Sequence, residues 1–179
     1  MAKRSDGQFE RRTHDTYDTP FSCVPALIPH LPPSCYFIEP CAGRGDLIDH
    51  LSKFGHTCIS AFDIEPRRGD IARRSAFQLR VRHPGENTFI ITNPPWTREV
   101  MHPMLRHLAN QLPTWALFDA DWFHTDQAVP FLPYLHKYVS VGRVRWIEGS
   151  EHDGKDNVAW HLLDARRRSA FTQAYGRRA

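Results

Sequence analysis

The sequence predicts an α/β fold: a mostly parallel, seven-stranded sheet with helices on both faces and a terminal antiparallel hairpin. Three observations predict it. Short apolar runs at 35–39, 58–62, 88–92 and 115–118 read as buried strands. Helical-period segments lie between them, with apolar residues at 47, 48, 51 and 54, and again at 100, 104, 105 and 108. Alternating strands and helices imply parallel pairing, because a crossover helix is needed to bring a parallel strand back into the sheet. The last two apolar stretches, 138–146 and 157–163, have no helical segment between them and read as a hairpin.

Taken in order, residues 1–15 are a polar, basic N-terminal segment, 16–165 form the folded body, and 166–179 an Arg-rich tail. Phe21, Val24, Leu27, Ile28 and Leu31 fall at helical spacing, with Thr19 or Ser22 as cap. Pro29 should kink that helix and Pro32-Pro33 stop it. Cys35-Tyr36-Phe37-Ile38-Glu39 is the first strand. The tight turn Pro40-Cys41-Ala42-Gly43-Arg44-Gly45-Asp46 leads into a helix that ends at Gly55. The second strand, 58–62, stops at Asp63; residues 64–75 are basic and loop-like, and Phe77-Gln78-Leu79-Arg80-Val81 is a third strand. After the strand at 88–92 come a helix, the strand 115–118 and a second helical stretch, 125–137, interrupted by Pro130 and Pro133. The polar loop 148–156 closes the hairpin.

Composition limits the function. At 41% hydrophobic the 179-residue chain can bury a core, and no apolar run approaches the roughly 20 residues of a membrane span. The N-terminus lacks the apolar stretch of a signal peptide. Cys23, Cys35, Cys41 and Cys58 show no C-x-x-C spacing, and the eleven histidines no ligand pattern, so neither a disulfide frame nor a metal site is expected. A reducing, cytoplasmic location is the expectation. The net charge of +3 is uneven: Arg166, Arg167, Arg168, Arg177 and Arg178 give the tail five positive charges, and the middle is net acidic. Basic ends suit a polyanion held at the periphery, or serve only solubility.

The chemistry centres on Asn93-Pro94-Pro95-Trp96. The run 88–92 stops at an Asn followed by two prolines, which cannot continue a ladder and force an extended, stiff turn. The turn offers the Asn93 amide oxygen, the Pro94 carbonyl and the flat face of Trp96. Two acceptors and a stacking surface suit a planar group bearing an –NH2, either a nucleobase or a side-chain amide. The turn after the first strand supplies a second site. Gly43 and Gly45 allow close backbone approach to a ligand. A dinucleotide fingerprint would have a third glycine where Ile48 stands, which argues against NAD. Glu39 before the turn repels phosphate and suits an amino group, while Asp63 is placed to accept from two ribose hydroxyls. An adenosyl ligand with a cationic amino acid tail and no phosphate matches: S-adenosylmethionine.

On these residues the sequence resembles the class I S-adenosylmethionine-dependent methyltransferases, with their Rossmann-like fold. Within them it is most similar to the Asn-Pro-Pro-aromatic amino-methyltransferases, especially small stand-alone adenine-N6 DNA enzymes of phage and bacterial type. The resemblance covers roughly residues 17–125. It implies that Glu39, Pro40, Cys41, Ala42, Gly43 and Gly45 form the methionine-binding turn and that Asp63, with Ile64 beside it, meets the ribose. It also implies that Tyr17, Thr19 and Pro20 close over the cofactor and that Asn93, Pro94, Pro95 and Trp96 are catalytic, Asn93 touching the cofactor as well. The family's acidic adenine contact falls on Ser75, followed by Ala76; Asp70 is the other candidate. Trp96 stands where Tyr or Phe is commoner.

The implied reaction is methyl transfer to an exocyclic amine, adenine N6 in DNA ahead of RNA. Neither 64–92 nor the stretch after Trp96 reads as a separate target-recognition domain, so any sequence selectivity is expected from loops and tails. The rivals are a protein glutamine methyltransferase and a silent fold that only binds nucleic acid. Asp119, Asp121 and Trp122 after the fifth strand, and Lys155, Asp156 and Asn157 in the hairpin, are further substrate-side candidates.

Overall fold

The structure is a computed structural model that describes residues 18–146, 154–170 and 172–176. Its frame is one eight-stranded sheet. The strands are β1 (Tyr36–Glu39), β2 (Thr57–Asp63), β3 (Ala72–Arg73), β4 (Thr88–Thr92), β5 (Thr114–Asp119), β6 (Leu135–Arg143), β7 (Asn157–Leu163) and β8 (Gln173–Tyr175). Their order is β3-β2-β1-β4-β5-β7-β6-β8. β3, β2, β1, β4 and β5 pair in parallel; β7 is antiparallel to both β5 and β6, and β8 runs parallel to β6.

Burial follows the two-residue period of a sheet covered on both sides. Phe37, Ile91, Trp115 and Leu117 pack with Val24, Leu27, Leu47 and Leu51 of α1 (Val24–Leu27) and α2 (Asp46–Ser52). Their sequence neighbours Ile38 and Ile90, and Ala116 and Phe118, face the other way, into two clusters built on α3 (Arg98–Ala109). Met104 and Leu108 serve the first, Met101 and Leu105 the second. Trp160 on β7 is fully buried, and its indole N–H donates to the Cys23 carbonyl at 2.8 Å, anchoring α1 to the sheet.

Several expectations need correction. The segment from Phe21 to His30 is not one helix. A 3-10 turn (Phe21–Cys23), α1 and a second 3-10 turn (Ile28–His30) follow one another. Pro25 and Pro29 each sit in the first positions of a new turn, where a missing N–H is tolerated. Neither Thr19 nor Ser22 caps; Pro20 holds the N-cap position with no side-chain bond.

Residues 77–81 form no strand. Ala76–Gln78 is a 3-10 turn started by a capping box, with Ser75 Oγ accepting from Phe77 N–H and Gln78 Oε1 from Ser75 N–H. The third strand is instead Ala72–Arg73, inside the segment read as loop. Residues Asp126–Tyr134 are 3-10 rather than α-helical, as Pro130 and Pro133 deny the longer ladder its donors, and β6 starts at Leu135. The hairpin does not form an edge: β7 inserts between β5 and β6, and the Arg-rich tail contributes β8 as an eighth strand. The loop closing the hairpin, apart from its last three residues, and Tyr17 lie outside the described residues.

Candidate active site

The carboxyl ends of β1, β2, β4 and β5 lie at one end of the sheet, beside the point where β1 leads to β2 on one side and β4 on the other. Open α/β sheets bind ligands at such a point. Glu39 ends β1 and is 2% exposed. Among the described residues its buried Oε2 has no hydrogen-bond partner, and burial, reinforced by nearby Asp63, pushes its carboxyl pKa well above the usual range. A buried carboxylate oxygen without a donor is costly unless a ligand meets it.

The turn after Glu39 is pinned to the end of β2. Ala42 N–H donates to Phe62 O at 3.1 Å, Gly43 N–H to Asp63 Oδ2 at 2.8 Å, and Arg67 N–H to Gly43 O at 2.9 Å. Asp63 Oδ1 accepts from Glu65 N–H, also at 2.8 Å, so the carboxylate joins both loops. Gly43 and Gly45 have φ of 51° and 86°, the left-handed region that glycine permits. A Cβ on Gly45 would strike the Arg68 guanidinium, and one on Gly43 would lie 2.9 Å from Arg67 Nη2. Two arginines therefore roof the turn. Arg68 is held by both oxygens of Asp49, at 3.0 and 2.9 Å, and by Asp70 Oδ1 at 2.7 Å. Arg67 pairs with Asp18, which carries the segment Asp18-Thr19-Pro20 onto the turn; Thr19 is buried there. Sequence reasoning saw residues 64–75 as merely basic and missed this roof, although two arginines directly after the Asp63 segment were its signal.

Ile64, next to Asp63, is 62% exposed, an apolar side chain left in the open at the sheet end. Neither candidate for the adenine contact is idle. Ser75 caps its turn and Asp70 holds Arg68, while the buried Ala76 starts the turn that Ser75 caps. Cys41 packs against Met104, Sγ to Sδ 3.6 Å, and burial pushes its thiol to about 12, so it stays a neutral packing group.

β4 ends at the Asn-Pro-Pro turn. Pro94 is buried, Asn93, Pro95 and Trp96 half-buried. The Trp96 indole N–H donates to Asn93 Oδ1 at 3.2 Å. Trp146, just past β6, meets Trp96 edge-on, with ring centroids 5.4 Å apart at 85°. Gly154 leaves room for it: a Cβ there would stand 3.1 Å from Trp146 Cδ1 and 2.8 Å from the Val144 carbonyl. Trp146 is a second aromatic residue at the motif that sequence reasoning read only as the end of a strand.

Of the other substrate-side candidates, Trp122 is core, 1% exposed, its indole N–H donating to His102 Nε2 at 2.9 Å. Asp119 ends β5 on the same side of the sheet as Asn93; partial burial raises its carboxyl pKa, and its Oδ1 accepts from Asp121 N–H at 2.9 Å. Lys155 and Asp156 are exposed just before β7, and Asn157 is its first residue. Among the described residues no cluster could hold a metal ion, and no helix is long and apolar enough to cross a membrane.

This strand order, with β7 reversed between β5 and β6, is the Rossmann-like fold of class I methyltransferases. A Listeria monocytogenes protein assigned as a class I S-adenosylmethionine-dependent methyltransferase superposes with a TM-score of 0.54 at 8% identity, over 91% of this chain and 66% of that one. A Pyrococcus horikoshii protein assigned as an RNA methyltransferase gives 0.52 at 13% identity, over 84% and 87%. A dimethyladenosine transferase of Plasmodium falciparum gives 0.51 at 12%, over 84% and 63%. The chain thus spans just under two thirds of the Listeria and Plasmodium proteins. No family model and no curated protein matches the sequence.

Proposed function

We propose that this protein is an S-adenosylmethionine-dependent methyltransferase acting on an exocyclic amine, adenine N6 of a nucleic acid. The observation that carries the reading is the convergence of Glu39, the Gly43–Gly45 turn, Asp63 and Asn93–Trp96 at one end of the sheet. The residues present fit the cofactor. The orphaned Glu39 oxygen suits an ammonium, the glycine turn suits close approach, Asp63 keeps lone pairs for ribose hydroxyls, and exposed Ile64 suits an adenine face. Thr19 and Pro20, with Tyr17 before them, would close the amino acid end.

When bound, S-adenosylmethionine supplies an electrophilic methyl group on a sulfonium. The protein's task is to present the amine. An adenine N6 lone pair is delocalised into the ring, so hydrogen bonds that favour a pyramidal nitrogen favour the transition state. The Asn93 amide oxygen, oriented by the Trp96 indole N–H, would accept one amine hydrogen. The Pro94 carbonyl accepts the second hydrogen. Trp96 offers its face to the base, which must leave the stack if the target is a duplex.

The motif resembles DNA enzymes, whereas structures sharing the fold are named for RNA, the Pyrococcus protein and a 23S rRNA methyltransferase among them; nothing in the fold favours DNA. The test is incubation with labelled S-adenosylmethionine and DNA, RNA and protein in parallel, followed by mass spectrometry of nucleosides. N6-methyladenosine or its deoxy form, lost in Asn93→Ala, is the expected product. Methylglutamine in protein with unmodified nucleosides would replace the reading, and bound cofactor with no product in any fraction would leave only the cofactor assignment standing.

A further inference from the structure

We propose that the groove at the far end of the sheet from Asn93 is a phosphate-binding surface for a nucleic-acid strand, with Lys137, Arg166 and Arg167 as its cations. The groove encloses about 700 Å³ where β4 and β5 begin and β7 ends. Asn93 lies past the opposite end of β4, so this strand's five residues, at about 3.3 Å each, separate the two places by roughly 15–20 Å.

Its charges are arranged to meet an anion from outside. Lys137 is half-buried in β6, and among the described residues its ammonium has neither ion pair nor hydrogen bond. A partly desolvated cation without a counter-charge favours binding one. Arg167 is exposed, and among the described residues only its main-chain N–H is engaged, donating to Asp164 O at 3.3 Å. Arg166 differs. Its Nε and Nη2 donate to the two oxygens of buried Asp164 at 2.8 and 3.0 Å, fixing the guanidinium plane. Nη1 has no partner among the described residues and remains a donor. With the guanidinium plane already held, that remaining donor meets a phosphate oxygen at little further cost in side-chain order. Of the two carboxylates lining the groove, Asp164 is used by Arg166 and only Glu86 opposes the other two cations.

The identification of the anion as nucleic acid rests on the substrate proposed above; the cationic groove does not. No mononucleotide spans the separation between groove and Asn93, whereas a strand or a folded RNA does. Part of the Arg-rich tail then has a defined place, with Arg166 and Arg167 in the groove.

The test is fluorescence anisotropy with labelled RNA and DNA, single-stranded and duplex, over a salt series, comparing the parent with Lys137→Gln/Arg167→Gln. The slope of log affinity against log salt should fall by about two units, roughly one per cation, evenly across sequences. Arg167→Gln alone removes only an exposed side chain and should lower the slope by about one unit; it serves if the double variant does not fold. Adenosine monophosphate and inorganic phosphate are the small-anion arms and should compete only weakly. Unchanged slopes in both variants, no nucleic-acid binding by the parent, or adenosine monophosphate bound as tightly as the polymer would each overturn the proposal. A lowered slope without any methylated product would uphold the groove and sink the proposed reaction instead.

Discussion

The indole Nε1–H of Trp96 donates to the side-chain oxygen of Asn93 at 3.2 Å. An indole nitrogen only donates, so the amide atom facing it must be oxygen, and the bond fixes which way the Asn93 amide points. Trp146 braces the same indole edge-on. The residue that offers a stacking face thus also orients the acceptor beside it, a role that Phe in its place could not fill.

This separates three substitutions. Asn93→Ala removes the acceptor and should lower turnover by at least about a hundredfold, the scale for a lost transition-state hydrogen bond, with cofactor binding largely retained. Trp96→Ala also loses the stacking face, worth roughly 1–3 kcal/mol per base, and should raise KM. Trp96→Phe keeps a ring and should hold KM near the parent while kcat falls severalfold. Equal kcat in Trp96→Phe and the parent, from steady-state kinetics, would show that the indole bond does not matter to Asn93.

Asp63 ties together two loops as well as facing the proposed ribose site. Asp63→Ala should weaken S-adenosylhomocysteine binding by roughly 1.5–3 kcal/mol, the scale of hydrogen bonds to a charged group. It should also lower the melting temperature, because Gly43 N–H and Glu65 N–H lose their acceptor. Asp63→Asn keeps one acceptor oxygen and should recover part of the stability. Calorimetry and thermal melts separate the two effects; unchanged affinity in Asp63→Ala would remove Asp63 from the cofactor site.

How much of this was legible follows from what each segment buries. β1, β4 and β5 were readable because a strand covered on both faces needs an unbroken apolar run, and Thr88–Thr92 supplies one. Residues 77–81 imitate a strand, since Phe77, Leu79 and Val81 alternate. Only Leu79 is buried, at 4%, while Phe77 is 40% exposed, and the Ser75–Gln78 capping box was the overlooked signal. β8 was illegible because its three residues are all exposed and carry no burial pattern. The insertion of β7 beside β5 depends on long-range pairing that local patterning does not encode. At the site, the glycine turn, Asp63 and the Asn-Pro-Pro turn were readable as spaced motifs. The Arg67–Asp18 and Trp96–Trp146 contacts join residues 49 and 50 positions apart and needed coordinates.

Glu39 makes cofactor binding sensitive to pH. Burial raises its carboxyl pKa in the folded protein, so just above the ordinary carboxylate range the unfolded chain releases a proton that the fold keeps. That contribution to stability is complete at low pH and is lost as pH rises through the folded-state value. A ligand ammonium favours the ionised form, so binding should expel a proton and tighten as pH rises over the same window. Calorimetry in buffers of different ionisation enthalpy measures that proton directly. Glu39→Gln should abolish its release and weaken binding, and equal proton release in variant and parent would assign the proton elsewhere.

His161 supplies the opposite pH dependence. It is fully buried, lies face to face with Phe118 at 3.8 Å between centroids, and is met edge-on by Trp122 and Tyr138. Neither ring nitrogen makes a well-formed hydrogen bond among the described residues; burial pushes its pKa from 6.5 to about 3, and the backbones of Ala116 and Ala159 nearby offset only part of that. Between those values the unfolded chain takes up a proton that the folded chain excludes. Stability from this residue is therefore complete above pH 6.5 and declines as pH falls, by up to ~1.4 kcal/mol per pH unit until the folded-state value is reached. His161→Phe keeps the flat ring in the same aromatic box and removes two buried ring nitrogens that lack well-formed hydrogen bonds, a poorly satisfied polar group costing up to about 1–3 kcal/mol when desolvated. The variant should melt higher at neutral pH and show a shallower loss of stability from pH 6.5 downward. Burial lowers the pKa of His50, His56, His102 and His107 as well, so the informative quantity is the difference between variant and parent from denaturant titrations at each pH. A difference that stays constant from pH 7.5 to 4.5 would mean that His161 takes up no proton on unfolding, and that burial does not hold it neutral.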